Sequence, residues 1–367
     1  MRGTMAHRVD FCSHWDNPFV LDYNRYYLCG LSKIAHLTSS TESWYVKPLS
    51  DLAAKVRISR MVMQHVYGRL GARYPSKAQY YVGRYVFDTG DRRIRFAIDP
   101  HDNRKIASGP IFDWCDVYFK SNKWVSEKYP SKVLPLVNGN GLHSRRTLSL
   151  LRSLRHTPKE YDFVMISRLG AGVEHNLKVF ESLSRLRCRK LLIAILYSEH
   201  GHDTYAKRLE GYGVTCIRRN LPPRELWSIL ARSRVNFLRL GAKYCIPWRM
   251  IDLLCMGACV VLDRYPCSDW PVPLENLVNF MACFNRSAAP SEESDYARVT
   301  KTVEHLLDSP EHVRAIAANN ATYFDRFAAP TMVANYIVES LLSCDALDLT
   351  DVTWSDAVEP WPDTDQH

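Results

Sequence analysis

Between residues 161 and 262, short aliphatic or β-branched runs alternate with helix-length amphipathic segments, and this alternation narrows the fold more than any other feature of the chain. The runs at 163–166, 190–197, 214–217, 235–240 and 258–262 read as strands. Between the first two, Val173, Leu177, Phe180, Leu183 and Leu186 recur at helical spacing and mark an amphipathic helix. A second helix begins near Pro222-Pro223, where proline suits a first turn, and runs through Leu226 and Leu230. A third covers 248–256. Strand, helix, strand in regular alternation predicts a parallel sheet covered on both faces, a doubly wound, Rossmann-like domain.

The preceding half is less regular. Segments 79–87, 93–98, 115–119 and 132–137 read as strands, and 52–70 has a helical pattern, so a second α/β domain is expected there. The turn signal Asn138-Gly139-Asn140-Gly141, followed by a stretch with Arg145, Arg146, Arg152 and Arg155, places the boundary. The expected division is a domain over 1–140, a linker over 141–160, a domain over 161–343 and an acidic, disordered tail over 344–367. Helices are expected near 295–307, 310–324 and 330–342 in the second domain. A chain of 367 residues suits two cores.

The net charge is +9, but the seven acids of residues 344–367 stand without a Lys or Arg, which leaves +16 on residues 1–343. Such a field attracts phosphate, whether on a nucleotide, an anionic lipid surface or a nucleic acid. No run approaches the roughly 18 apolar residues of a membrane-spanning helix, and the first residues lack the pattern of a secretory signal. The expected location is the cytoplasm, with peripheral contact at the inner face of the membrane a further expectation from the basic surface. Eleven cysteines, with no CxxC pair, point to buried thiols rather than zinc or disulfides.

In a doubly wound sheet the ligand lies beyond the carboxyl ends of the strands. The first such loop is Ser167-Arg168-Leu169-Gly170-Ala171-Gly172, where two glycines and a helix start suit a phosphate and Arg168 adds a charged fork. A tight turn with a surface arginine explains the same residues. His175, in the first turn of the next helix, faces the expected crevice. In the segment from Lys243 and Tyr244 through Pro247 to Leu262, Arg249 and Asp252 stand at i, i+3 on one helix face, a cation for phosphate and a carboxylate for hydroxyls. An ordinary helical ion pair is the plainer alternative.

Proline, then an arginine and an acid three apart, then an apolar turn, glycine and an apolar strand resembles the nucleotide-sugar-binding segment of GT-B fold glycosyltransferases. Glu275-Asn276-Leu277-Val278-Asn279-Phe280 and Tyr323-Phe324-Asp325-Arg326-Phe327 are similar to segments of exostosin-like and bacterial polysaccharide transferases. The resemblance implies two Rossmann-like domains facing a cleft, 161–343 binding the donor and 1–140 the acceptor. It implies that Asp252 holds the ribose hydroxyls and that basic residues near it, Lys243 and Arg249, meet the diphosphate; with Tyr244 and the loop residues Arg168, Gly170, Gly172 and His175 these are the expected donor contacts. Many retaining members carry a glutamate eight positions before the ribose-binding acid; here that position is Tyr244, which leaves retention or inversion open.

An acceptor-side base is expected from Asp99, His101 or Asp102, which follow the run Arg95-Phe96-Ala97-Ile98, although an Asp-Pro turn accounts for the same residues. Lys120 and Asn122, at the end of another strand, are candidates for acceptor or phosphate contact. Arg25, Tyr26, Tyr27, Trp44, Tyr45, Arg84 and Tyr85 suit a large or anionic acceptor, and are ordinary strand residues too. Glu199-His200-Gly201-His202-Asp203 looks like a metal cluster, yet its histidines stand two apart and a flexible loop is the simpler reading. No cofactor is expected beyond the donor itself, of UDP, GDP, CMP or dTDP type, and no Asp-x-Asp motif stands in these loops, so a metal-independent transfer to a saccharide, lipid-linked or other acceptor is expected. The alternatives are an epimerase or hydrolase acting on the same donor, and a basic nucleic-acid-binding protein using Arg145–Arg155 and the basic residues of 185–190, against which stands the lack of a nucleic-acid module.

Overall fold

A computed structural model describes residues 7–12, 18–39, 81–170, 173–197, 201–240, 244–285 and 293–344. They form two compact units, one of residues 7–144 with 329–344 and the other of residues 145–328. The expected α/β class holds, with a parallel-rich sheet in each unit.

The first unit opens with β1 (Arg8–Phe11), α1 (Pro18–Ile34) and β2 (His36–Ser39), none foreseen as elements, and continues with β3 (Gly83–Asp88), β4 (Arg93–Asp99), α2 (Gly109–Trp114), β5 (Val117–Lys120) and β6 (Val133–Pro135). Its sheet runs β2-β1-β3-β4-β5-β6. β3 is antiparallel to both neighbours, and the other pairs are parallel. The β3–β4 hairpin follows from Thr89-Gly90 between two aromatic-rich runs, and the Asp88 carboxylate accepts the Gly90 N–H at 2.8 Å to fix the turn. Tyr26, Tyr27 and Tyr85 are fully buried, so these tyrosines, expected to stack on an acceptor, belong to the core instead. Tyr85 stacks on Phe96 at 4.7 Å. Residues 52–70, with their helical pattern, and Trp44 and Tyr45 lie outside the described residues.

The second unit begins inside the expected linker, where α3 (Arg145–Ser153) and a 3-10 turn (Leu154–His156) form. Their basic side chains hold the fold: Arg152 and Arg155 both donate to the Asp325 carboxylate, and Arg155 Nε donates to the Cys255 carbonyl at 2.8 Å. Partial burial works to raise the Asp325 pKa, but the hydrogen bonds and charges of the two arginines win and hold it below the ordinary carboxylate value. Then follow β7 (Tyr161–Arg168), α4 (Val173–Ser184), β8 (Lys190–Ile195), α5 (Ala206–Gly211), β9 (Thr215–Ile217), α6 (Pro223–Ala231), β10 (Ser233–Leu238), α7 (Arg249–Cys255), β11 (Cys259–Leu262), β12 (Met281–Ala282), α8 (Glu293–Leu307) and α9 (Pro310–Tyr323).

All six strands of this sheet are parallel, in the order β12-β11-β10-β7-β8-β9. Read from the other edge this is 3-2-1-4-5-6, the doubly wound order, with its switch point between β7 and β10. Phe163, Met165, Val235, Phe237 and Val261 pack on one face with Leu177, Phe180 and Leu183 of α4 and Val299 and Val303 of α8. The alternate residues Val164, Ile166, Val260 and Leu262 are buried as well, so both faces are covered. Each such side chain contributes about 1.5–3 kcal/mol on burial.

The last helix, α10 (Pro330–Leu342), returns to the first unit, a correction to the expected 161–343 domain. Gly30 of α1 permits this return, since a Cβ there would stand 1.9 Å from the Pro330 carbonyl oxygen. Tyr336 donates its hydroxyl to the Pro135 carbonyl at 2.9 Å. Residues 345–367 lie outside the described residues, and among those described no helix is long and apolar enough to cross a membrane.

Candidate functional site

The carboxyl ends of β7 and β10 flank the switch point, where an open parallel sheet offers its crevice. Beyond β7, Gly170 has φ +37, a left-handed value, and an added Cβ would meet nothing within 4 Å. Asn176 of α4 donates its amide to the Leu169 carbonyl and ties this loop to the helix. His175, one residue earlier, has Nδ1 2.9 Å from the Tyr296 hydroxyl of α8 and Nε2 3.9 Å from Asp263.

Asp263 is the first residue after β11, and it is the hub of the site. Its Oδ1 accepts the backbone N–H groups of Leu240 and Arg264, each at 3.0 Å, which joins the ends of β10 and β11. Its Oδ2 faces Arg239 Nε at 3.8 Å, beyond hydrogen-bond length. Arg239, directly after β10, and Arg264 thus bring two guanidinium groups to adjacent strand ends. Burial pushes the Arg239 pKa down and Arg264 adds to the fall, against the pull of Asp263, and the group remains a cation at neutral pH. Among the described residues, neither Arg239 Nε nor Arg264 Nε has a hydrogen-bond acceptor, although both atoms are buried. Buried donors of this kind are costly unless something accepts from them, and a phosphate oxygen is the acceptor that a guanidinium fork suits. Tyr244, half-exposed, lies against Arg264 at 4.3 Å.

Arg249 and Asp252, expected as a pair facing the ligand, each bond to a protein group within the unit. Arg249 donates to the Ile166 carbonyl at 2.5 Å. Burial lowers its pKa, Asp252 opposes that and Arg168 adds to it. Asp252 is 3% exposed and accepts the Trp227 indole N–H at 2.9 Å, a bond between α6 and α7 inside the unit. Arg168 ends β7 at the surface, where it donates to Asn220 at 3.1 Å and lies over the Tyr197 ring at 5.6 Å. Tyr197 also donates to Asn220, at 2.9 Å, so three strand ends meet in this second cluster. Gly172 and Lys243 lie outside the described residues, as do Glu199 and His200. His202 is buried and its Nδ1 accepts the Tyr197 N–H at 3.3 Å, while Asp203 pairs with Arg218 at 2.6 Å.

In the first unit Asp99 and Lys120 face each other across β4 and β5, in register and fully buried. The Asp99 carboxylate accepts from Lys120 Nζ at 2.9 Å, the Tyr118 hydroxyl at 2.8 Å and the His101 N–H at 3.0 Å. A carboxylate so engaged is not an available base, and the ammonium is not an available phosphate ligand, which corrects both expectations. His101 is buried, and its Nδ1 accepts the Asn103 N–H at 3.1 Å. Burial lowers its pKa, Lys120 lowers it further and Asp99 opposes them. Asp102 is half-buried, and its carbonyl accepts from the Asn122 amide, so Asn122 supports a loop.

Arg239, Asp263, Arg264 and Tyr296 were not foreseen. For the first three a signal exists in the sequence: each is among the first charged residues after an apolar strand, Leu238-Arg239 and Leu262-Asp263-Arg264, at the edge where the fold presents its crevice. Tyr296 comes from a helix more than a hundred residues from its partner His175, and no local pattern marks it.

No family model and no curated protein matches the sequence. Among solved structures, the chain is similar to Anabaena HepE in complex with UDP and glucose, at 12% identity over 91% of this chain and 99% of that one, with a TM-score of 0.45. A glycosyltransferase from Rickettsia africae ESF-5 is similar at 11% identity over 93% and 98%, with a TM-score of 0.43. MurG of Acinetobacter baumannii follows at 10% identity over 88% and 77%, with a TM-score of 0.39.

Proposed function

We propose that the chain is a glycosyltransferase of the GT-B type, which binds a nucleotide-activated sugar at the switch point of its second unit and transfers the sugar to a saccharide or other acceptor. The observation that carries this reading is the pair Arg239 and Arg264, whose Nε–H groups are buried without an acceptor among the described residues, at adjacent strand ends. Displacement at the anomeric carbon leaves negative charge on the departing phosphate, and fixed cations in a site of low dielectric stabilise that charge. His175, braced by Tyr296 and facing Asp263, adds an imidazole beside them. Arg168, Tyr197 and Asn220 supply a planar, polar surface at the next strand ends, suited to the rest of the nucleotide. On the acceptor side the base is His101 or Asp102; burial of His101 favours its neutral form, the form a general base needs.

The test is a thermal-shift screen with UDP, GDP, CMP, dTDP and ADP, free and as sugar conjugates, on the wild type, Arg239→Ala and Arg264→Ala. One nucleotide, at a hundredfold excess over its Kd, stabilises the wild type by about 2.7 kcal/mol, and both variants lose the shift. Incubation with the corresponding labelled nucleotide sugar and a panel of acceptor glycans then reads transfer directly. A wild type that responds to no nucleotide ends this proposal.

A further inference from the structure

Tyr244 is one of two described non-glycine residues with a left-handed backbone, at φ +56. For a residue with a bulky Cβ substituent this conformation is strained, and it persists only where the surroundings over-determine it. The other, Leu277, closes a tight turn by donating its N–H to the Phe280 carbonyl. Burial does not account for Tyr244, which is 41% exposed. What its ring meets is Arg264, with the guanidinium carbon 4.3 Å from the ring centroid, well inside cation–π range. Arg264 is itself 6% exposed, its backbone N–H is held by Asp263, and its Nε has no acceptor among the described residues. An aromatic ring against a guanidinium limits the rotation of the cation and leaves the donors in its plane for a bidentate anion.

We propose that Tyr244 is a positioning residue that holds the Arg264 guanidinium in the orientation that meets the diphosphate of the donor, and that its strained backbone exists to set the ring there. This rests on the donor-site reading given above.

Calorimetric titration of inorganic pyrophosphate, UDP and GDP into the wild type, Tyr244→Phe and Tyr244→Gly tests it. Pyrophosphate carries no base, so it reports on the phosphate ligands alone. Glycine suits the left-handed backbone, so Tyr244→Gly melts no lower than the wild type, yet binds pyrophosphate about tenfold more weakly because the ring is gone. Tyr244→Phe keeps the ring and restores affinity to within about threefold of the wild type. Unchanged pyrophosphate affinity in Tyr244→Gly, with the wild type binding, overturns the proposal while leaving the donor site standing. A wild type that binds none of the three probes overturns the donor site and this proposal with it.

Discussion

Asp99 and Lys120 have no exposed side-chain surface, and their attraction acts where water cannot screen it. Replacing Asp99 with Asn leaves an uncompensated ammonium in the core of the first unit. Urea unfolding at pH 7 should show a loss of about 3–5 kcal/mol. His101, whose N–H reaches the same carboxylate, sets a pH dependence. Its pKa in the fold is below its ordinary value, so the unfolded chain binds the additional proton first as pH falls. The fold should therefore keep its full stability above about pH 6.5 and lose part of it below, with a shallower loss in His101→Gln. Melting temperatures of both proteins between about pH 5 and 8 measure the difference. The sequence displayed Asp99, His101 and Asp102 as neighbours loaded with proton acceptors, but not that Lys120 stands directly across from Asp99 in the next strand. Strand register is a long-range property, and it decides which of these acids is engaged and which is not. The same holds for Asp252, an acid on a helix face by spacing and the partner of the Trp227 indole by packing.

The five strands β7 to β11 were legible because buried parallel strands read as near-continuous apolar runs, and α4 because its apolar face repeats with the helical period. α10 was legible too, with its start at Pro330, but not its destination. Its placement depends on Gly30, three hundred residues away, where the absence of a Cβ lets two helices touch through their backbones. Gly30→Ala would improve the intrinsic helix propensity of α1 by about 1 kcal/mol, and in an isolated helix that would be the whole effect. Here the methyl would overlap the Pro330 carbonyl, and forcing the helices apart costs about 1–3 kcal/mol or more. The two effects have opposite signs, so the measurement is decisive: a variant that melts below the wild type shows that the α1–α10 contact governs, and one that melts above it shows that α10 yields without cost. α1, β1 and β2 were missed because short strands and a helix rich in tyrosine carry little period of their own.

At the scale of the molecule, the charge of +16 on residues 1–343 admits two kinds of anionic partner, and salt separates them. Many of the basic side chains that a nucleic acid would need are already paired: Arg152 and Arg155 with Asp325, Arg185 with Glu181, Arg218 with Asp203 and Arg219 with Glu225. Exposed pairs such as these contribute little to stability, about 0–1 kcal/mol each, but they divide the surface field into local dipoles. The charge at the proposed donor site is different in kind, since Arg264 is buried and the Arg239 side chain is only one-fifth exposed, so salt screens both far less. A nucleoside diphosphate meeting two such cations should lose less than about tenfold in affinity between about 50 and 200 mM salt. A nucleic acid contacting six to ten surface cations would lose roughly 10³–10⁵ over the same range. Titrating the stabilising nucleotide and a single-stranded RNA against the protein at both salt concentrations therefore distinguishes a site built for one diphosphate from a surface built for many. A shallow dependence for the nucleotide, with weak and steeply salt-sensitive RNA binding, is the outcome that Arg239 and Arg264 predict.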